Sequence, residues 1–219
     1  QDDINGAGSW VECPKPGIVR QFNPSTMPHV VQRQADNTFL VKKYTWDNRA
    51  VGDDTTNYIP SFVSIDAVHP DHTDNGGTKS NENRFINKVL FFRNRLTFLS
   101  NQNVITSKQG DFGQFWADTA LTISNSDPID IASSSTLPSE LFDGIDVNPG
   151  LMVFSTNAQY LLTSDDTIFN PDTAKLKRIS SYSYNNKIPP ISLGTTVGYV
   201  DSSNKNSRCM ETANVASQG

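Results

Sequence analysis

Short apolar runs recur along this chain, and turn motifs interrupt each run before it reaches the length of an ordinary helix. The motifs include NPST, GDDTTN, TDNGG, NPG and NPDT, in which Pro, Gly, Asn and Asp favour tight turns. One short helix is expected around residues 137–142, where Pro138 suits the first turn. The runs that we interpret as strands are 17–22, 29–34, 38–46, 86–93, 95–100, 103–107, 120–124, 129–133, 151–155 and 158–164.

The choice of polar residues favours the same fold class. Ser, Thr and Asn supply 63 of the 219 residues, and Asp outnumbers Glu by 19 to 4. Because Asp, Asn and Ser side chains compete with helical backbone hydrogen bonds, this usage disfavours helices. We therefore predict a mainly β fold. In the run 38–46, Phe39 and Val41 alternate onto one side, which we predict to face the core.

Charge and hydropathy argue against several functions. The net charge of −5 disfavours a protein that grips nucleic acid, which needs a basic surface, but lets nucleic acid slide past. No run of 18 apolar residues occurs, so we expect no stable membrane insertion. Cys13 and Cys209 are the only cysteines, and we interpret them as unpaired thiols.

The polar segment 69–82 is the best candidate for an ion site. Asp71, Asn75 and Glu82 fall at positions 1, 5 and 12 of a calcium-binding loop. Lys79 stands at the ninth position, where a ligand would be needed, so we favour a solvated surface loop. The prediction is that the chain binds no metal and no cofactor.

Other polar residues also lack a catalytic arrangement. His69 and His72 have no evident third metal ligand, and His29 is interpreted as a packed or hydrogen-bonded structural residue. Arg93 and Arg95 suit phosphate contact or stacking on aromatic rings, but ion pairs with Asp are the preferred interpretation. Nucleophile-elbow and HExxH motifs do not occur, and no catalytic residue is predicted.

The segment 91–115 concentrates aromatic residues without any His, Glu or Cys. Such a segment specifies shape rather than chemistry, and we predict that its rings pack layers of the fold together. Further along, Asp127 before Pro128 is predicted to cap a turn. The aromatic residues in and around the segment are Phe85, Phe91, Phe92, Phe98, Phe112, Phe115 and Trp116.

An internal repeat is visible in the pattern of strands and turns. Each copy reads as an apolar strand, a polar turn and a second strand, and the copies start roughly 45–55 residues apart. That spacing is typical of propeller blades or repeated sheets, although unrelated hairpins give a similar pattern. The copies are residues 95–107, 150–164 and 195–212.

Five segments in a fixed order carry a resemblance to a known family: 8–31, 49–62, 91–115, 126–134 and 151–200. Together they resemble the tail nozzle (tail tubular protein B) family of short-tailed, podovirus-type bacteriophages. The likeness covers about residues 8–200. Family members are several times longer and this chain begins at Gln1 without Met, so we expect a fragment.

The resemblance implies a propeller-like or repeated antiparallel-sheet platform with long loops. Relative to the family, residues 63–84 look like a polar insertion loop. We expect a β-rich segment over 1–84 and hairpin repeats over 85–219, or one continuous domain.

The implied function is that of a virion structural protein and not an enzyme. It would form part of the tail nozzle that retains phage DNA and then conducts it during ejection. The implied partners are further copies in a homohexamer, the tail adaptor (tail tubular protein A) ring, tail fibres and phage DNA in transit, without sequence-specific binding. The implied location is the virion tail, after assembly in the host cytoplasm.

Two other functions remain open from the residues alone. A tail-associated glycan or peptidoglycan hydrolase would need two carboxylates that converge in a groove. A carbohydrate-binding module would need exposed tryptophans as a stacking platform, for which the candidates are Trp10, Trp46 and Trp116.

Overall fold

The computed structural model describes residues 18–22, 24, 27–51, 86–119, 121–134, 138–164, 168–202 and 206–213. These residues form strands and no helix, which confirms the predicted mainly β fold. The strands are β1 (Ile18–Arg20), β2 (His29–Arg33), β3 (Phe39–Lys43), β4 (Arg49–Val51), β5 (Ile86–Phe92), β6 (Arg95–Ser100), β7 (Asn103–Thr106), β8 (Ile129–Ala132), β9 (Leu141–Val147), β10 (Gly150–Ser155), β11 (Gln159–Ser164), β12 (Ala174–Ser180), β13 (Ile191–Ser192), β14 (Thr196–Ser202) and β15 (Ser207–Ala213).

Three larger sheets follow one another along the chain. Strands β5–β8 form the first sheet, β9–β12 the second and β13–β15 the third, and in each of them neighbours in sequence are neighbours in space. Strands β1 and β4 form one two-stranded sheet, and β2 and β3 form another. All of these strand pairs are antiparallel. No helix long and apolar enough to cross a membrane occurs among the described residues.

The three larger sheets pack face to face. Side chains alternate across a strand, so Leu151 and Val153 of β10 join the core shared with the first sheet. Met152 and Phe154 of the same strand point the other way, into the core shared with the third sheet. The second sheet is therefore covered on both faces, which explains why β10 is apolar along almost its whole length.

The internal repeat in the sequence corresponds to equivalent hairpins. The three copies fold as β6–β7, β10–β11 and β14–β15, which are the second and third strands of successive sheets. The described residues thus form repeated antiparallel sheets, and closure into a propeller remains a prediction. The proposed domain boundary at 84/85 also remains a prediction, because residues 52–85 lie outside the described part.

Two of the predicted elements are wrong. Residues 121–124 form no strand, and residues 138–140 form no helix, since β9 begins at Leu141. The backbone groups of residues 140 and 141 form hydrogen bonds to distant segments of the chain, whereas a helix would pair them with residues four positions away. The Leu141 N–H donates to the Asn101 carbonyl at 2.6 Å, and the Glu140 carbonyl accepts from the Thr156 N–H at 3.2 Å.

The orientation predicted for strand β3 is also wrong. Phe39 and Val41 are exposed, as is Leu40 on the opposite side. No second layer formed by the described residues lies over either face of the β2–β3 hairpin, so alternation of apolar residues here does not lead to burial. The chain reaches the core beyond the end of β3, where Tyr44 packs against it and Trp46 is buried.

Candidate functional site

Aromatic rings from the segment 91–115 and its flanks pack on both faces of the first sheet. On one face Phe98 stacks on Phe115, with centroids 5.1 Å apart and planes at 12°. Trp116 stacks in the same way on Phe22 at 5.7 Å. On the opposite face Phe92 meets Phe169 edge to face at 5.4 Å. The prediction that this segment packs layers of the fold together is confirmed for these rings.

Phe91 departs from that prediction. It is 65% exposed and contacts Phe112, from the loop between β7 and β8, with ring centres 5.3 Å apart. Neighbouring residues of a strand point to opposite faces, so Phe91 and Phe92 cannot share one core. Because β5 is an edge strand, the face that carries Phe91 is incompletely covered. Phe85 lies outside the described residues.

Arg95 is completely buried, and its guanidinium binds main-chain oxygens. Nη1 donates to the carbonyls of Ser107 at 2.9 Å and Asp127 at 2.7 Å, with a longer bond to Ser126 at 3.2 Å. Nη2 donates to the carbonyl of Asn125 at 2.8 Å. Arg95 thus ties the loop before β8 to the start of β6. The sequence-based preference for an ion pair between Arg95 and an Asp carboxylate is wrong, because the guanidinium donates to main-chain oxygens.

Burial also affects the ionisation of Arg95. Desolvation lowers the pKa of its guanidinium to about 10, and the nearby charge of Asp127 opposes that shift. The group therefore remains protonated at neutral pH. A buried cation is expensive unless it is hydrogen-bonded, and the carbonyl oxygens around it provide those bonds.

Arg93 behaves differently from Arg95 because it lies in a turn. Arg93 and Asn94 join β5 to β6 with φ angles of 48° and 59°, as in the type I′ turns of tight hairpins. The Arg93 guanidinium lies 5.5 Å from the ring centre of Phe92 and 5.4 Å from that of Phe169. Stacking on aromatic rings, the less favoured interpretation from sequence, is what the structure shows.

The SDPID segment forms the predicted turn. The Asp127 carboxylate accepts a hydrogen bond from the Ser124 N–H at 2.8 Å, and the Asp127 N–H returns one to the Ser124 carbonyl at 3.0 Å. Strand β8 starts at Ile129, directly after Pro128. The role predicted for Asp127 is confirmed.

A buried carboxylate that sequence reasoning missed connects the sheets. Asp143 on β9 lies 3.0 Å from Lys88 Nζ on β5 and 3.5 Å from the hydroxyl of Tyr184, which precedes the third sheet. The Tyr184 hydroxyl donates to the Ile188 carbonyl at 3.0 Å. Burial, reinforced by the Asp143 charge, raises the pKa of Tyr184. No local motif marks Asp143, because its partners are distant in sequence.

The remaining candidates give no chemical site among the described residues. The possible ion ligands Asp71, Asn75 and Glu82 lie outside the described residues, as do His69, His72, Cys13 and Trp10. Within the described part, no group of three His, Cys, Asp or Glu residues is placed to hold a metal ion. His29 is exposed on β2, so it is not a packed residue, and its alternative interpretation as a hydrogen-bonded structural residue stays a prediction. Cys209 is exposed on β15 as a free thiol.

Trp46 and Trp116 are unsuited to carbohydrate stacking. Both rings are buried, and the indole N–H of Trp116 donates to the Asp47 carbonyl at 3.0 Å. Trp46 packs 5.9 Å from Phe115. A stacking platform needs exposed ring faces, which neither residue offers.

Comparisons with known proteins agree with the resemblance seen in the sequence. A family model described as bacteriophage nozzle protein matches residues 3–218. Tail tubular protein gp12 of Escherichia phage T7 is 31% identical over 172 residues, which cover 78% of this chain and 19% of that relative. The chain therefore spans less than two thirds of the relative that it matches. It belongs to the bacteriophage nozzle protein family.

Proposed function

We propose that this chain is a structural component of a phage tail, located in the nozzle of the virion. The observation that carries the proposal is that the second sheet packs through both of its faces, against the first sheet on one side and the third sheet on the other. The buried charged groups of the described part all bond other residues of the chain itself: Arg95, Asp127, Asp143 and Asp201. Such an arrangement suits a rigid wall better than a catalytic site.

We infer that the assembled nozzle retains DNA and then conducts it during ejection. The net charge of −5 supports this, because an acidic wall repels phosphates and leaves the duplex mobile. Copies of the chain would form a homohexamer that contacts an adaptor ring and tail fibres, after assembly in the host cytoplasm. No catalytic step is needed for this role, and the hydrolase alternative has no supporting geometry among the described residues.

Immunogold electron microscopy of intact virions tests the proposal. An antibody raised against the purified chain is expected to label the distal part of the short tail. Antibody preincubated with the purified chain is the matched control and should leave the tails unlabelled. Label on capsids or fibres, or on no part of the virion, would contradict the proposed location.

A further inference from the structure

A cavity of about 580 Å³ lies between the second and third sheets. It is found at the end where the turns 148–149 and 193–195 join the first two strands of these sheets. Its inner side is formed by the buried residues Met152 and Val197, together with the partly buried Leu161. The volume is in the range of ligand sites, which are concave and largely apolar with a few polar groups.

The mouth of the cavity is formed by exposed residues of the two turns, among them Asn148, Gly194 and Thr195. Gly194 adopts a φ of 92°, and a Cβ at this position would meet no described atom within 4 Å. The described part of the chain therefore leaves the mouth accessible from solvent.

The polar lining of the cavity favours an uncharged ligand. None of the described residues that line it is charged, and the polar side chains are those of Asn148, Ser180, Thr195 and Thr212. A charged ligand would lose hydration here without gaining an ion pair, which is unfavourable. Amide and hydroxyl side chains both donate and accept hydrogen bonds, as the backbone of a peptide does. The polar lining thus suits the backbone of a peptide segment.

The repetition of the sheets indicates which side chain fits the apolar part of the cavity. Between the first and second sheets, Phe92 meets Phe169 of the β11–β12 loop with ring centres 5.4 Å apart. Val147 corresponds to Phe92, because each ends the first strand of its sheet and packs towards the following sheet. Val147 lines the cavity, and none of the described residues that surround it there is aromatic. The space that a phenyl ring fills in one pair of sheets is thus open in the next.

Met152 on the inner side of the cavity also favours an aromatic occupant. Its side chain is 3% exposed, so it can be reached only by a group that enters the cavity. The sulfur of methionine makes favourable contacts with aromatic rings, and its flexible side chain adapts to the shape of a neighbour. A flat ring also fits between the side chains of two stacked sheets, which typically lie about 10 Å apart.

We propose that this cavity binds an aromatic side chain presented by an uncharged peptide segment of a partner protein. The ring inserts between the second and third sheets, and polar residues at the mouth bond the backbone on either side of it. Such a buried aromatic anchor is the kind of residue that dominates the affinity of protein contacts. The inference goes beyond the proposed function, and its test does not require a virion.

Titration of the isotope-labelled 219-residue chain with N-acetyl-phenylalaninamide tests the site by NMR. This compound carries one ring between two uncharged amides, and its size predicts a dissociation constant on the order of 1 mM. Shifts of the amides of Leu161, Ile179 and Thr195, which line the cavity, should saturate together. N-acetyl-leucinamide, which lacks the ring, and phenol, which lacks the amides, should each bind roughly threefold or more weakly.

The variant Thr195→Trp should weaken binding of N-acetyl-phenylalaninamide roughly tenfold or more, because the indole fills the mouth of the cavity. Leu121→Trp is the matched control, since it introduces the same side chain at a residue 70% exposed in a loop outside the cavity. Ile179→Asp is a second variant, which places a charge in the wall and should also weaken binding. Circular dichroism confirms that the variants stay folded.

Absence of saturable shifts around the cavity, up to the solubility limit of the compound, would overturn the site. Equal affinity for N-acetyl-leucinamide would overturn the aromatic assignment, and equal affinity for phenol would overturn the assignment to a peptide. Unchanged binding to Thr195→Trp would show that the compound binds elsewhere and would also overturn the site. None of these results would affect labelling of the virion tail, so the two proposals fail separately.

Discussion

Replacing the buried Arg95 by Met is the most direct test of how the first sheet is held to the loop before β8. Methionine keeps an unbranched apolar side chain in a site that is fully buried, but it donates no hydrogen bond. The carbonyl oxygens that the guanidinium binds, at 2.7 to 3.2 Å, all lose that donor. The side-chain volume is largely preserved, so the change isolates the polar contribution.

The expected loss in the free energy of unfolding is about 3–5 kcal/mol. A buried acceptor left without a partner costs about 1–3 kcal/mol, and two of the carbonyl oxygens that Arg95 binds are in fully buried contacts. The oxygens of Ser107 and Asp127 are buried with the guanidinium and cannot turn to solvent without moving the loop. Those of Asn125 and Ser126 are nearer the surface, which keeps the total below four full penalties.

Equilibrium urea unfolding measures this loss, and Arg93→Met is the matched control two residues away. Arg93 is exposed and only stacks on aromatic rings, so its replacement should cost about 0.5–1 kcal/mol. Arg95→Lys should fall between, because one ammonium cannot reach all of the oxygens. Equal losses for the two Met variants would refute the role given to Arg95.

Two further perturbations test the packing and the third sheet. Phe92→Ala should reduce the free energy of unfolding by about 3–5 kcal/mol, because Phe92 is buried. Phe91→Ala should reduce it by under about 0.5 kcal/mol, because Phe91 is exposed. Urea unfolding measures both losses, and similar values for the two variants would contradict the faces assigned to these residues. Hydrogen bonds from the Ser183 hydroxyl and the Arg208 guanidinium lower the pKa of buried Asp201 below its ordinary value of 3.8. The charged carboxylate therefore stabilises the fold at pH values above 3.8. That contribution is lost as the pH falls through the lowered pKa. Asp201→Asn should therefore flatten the acid limb of the melting temperature against pH, and an unchanged limb would exclude this role.

Much of the fold follows from local sequence. Strands in 95–107 and 150–164 are bounded by their own turn residues, and the spacing of these hairpins matches the three successive sheets. The Asp127–Pro128 turn is likewise local, because its carboxylate reaches a backbone group only three residues away. Turn chemistry acts over a few residues, so a reader of the sequence can infer it.

Burial is decided by tertiary structure. Phe39 and Val41 alternate as core residues do, yet no layer formed by the described part of the chain lies over their hairpin, and they remain exposed. The sequence predicts a helix starting near Pro138, but the backbone groups of Glu140 and Leu141 bond to distant segments. The Glu140 carbonyl accepts from the Thr156 N–H, and the Leu141 N–H donates to the Asn101 carbonyl. Alternation predicts two faces of a strand and cannot say which of them another sheet will cover.

The buried polar groups divide in the same way. The sequence alone indicates that the aromatic side chains of segment 91–115 pack in the core. It also indicates that the chain is related to the nozzle proteins. The carbonyl partners of Arg95 depended on how the loop before β8 folds back onto the first sheet, and the contact of Asp143 with Lys88 depended on the packing of two sheets, since those partners lie 12 to 55 residues away. Periodicity and turn chemistry are short-range properties, whereas the partner of a buried charge is set by which distant segments the packed core brings within hydrogen-bonding distance.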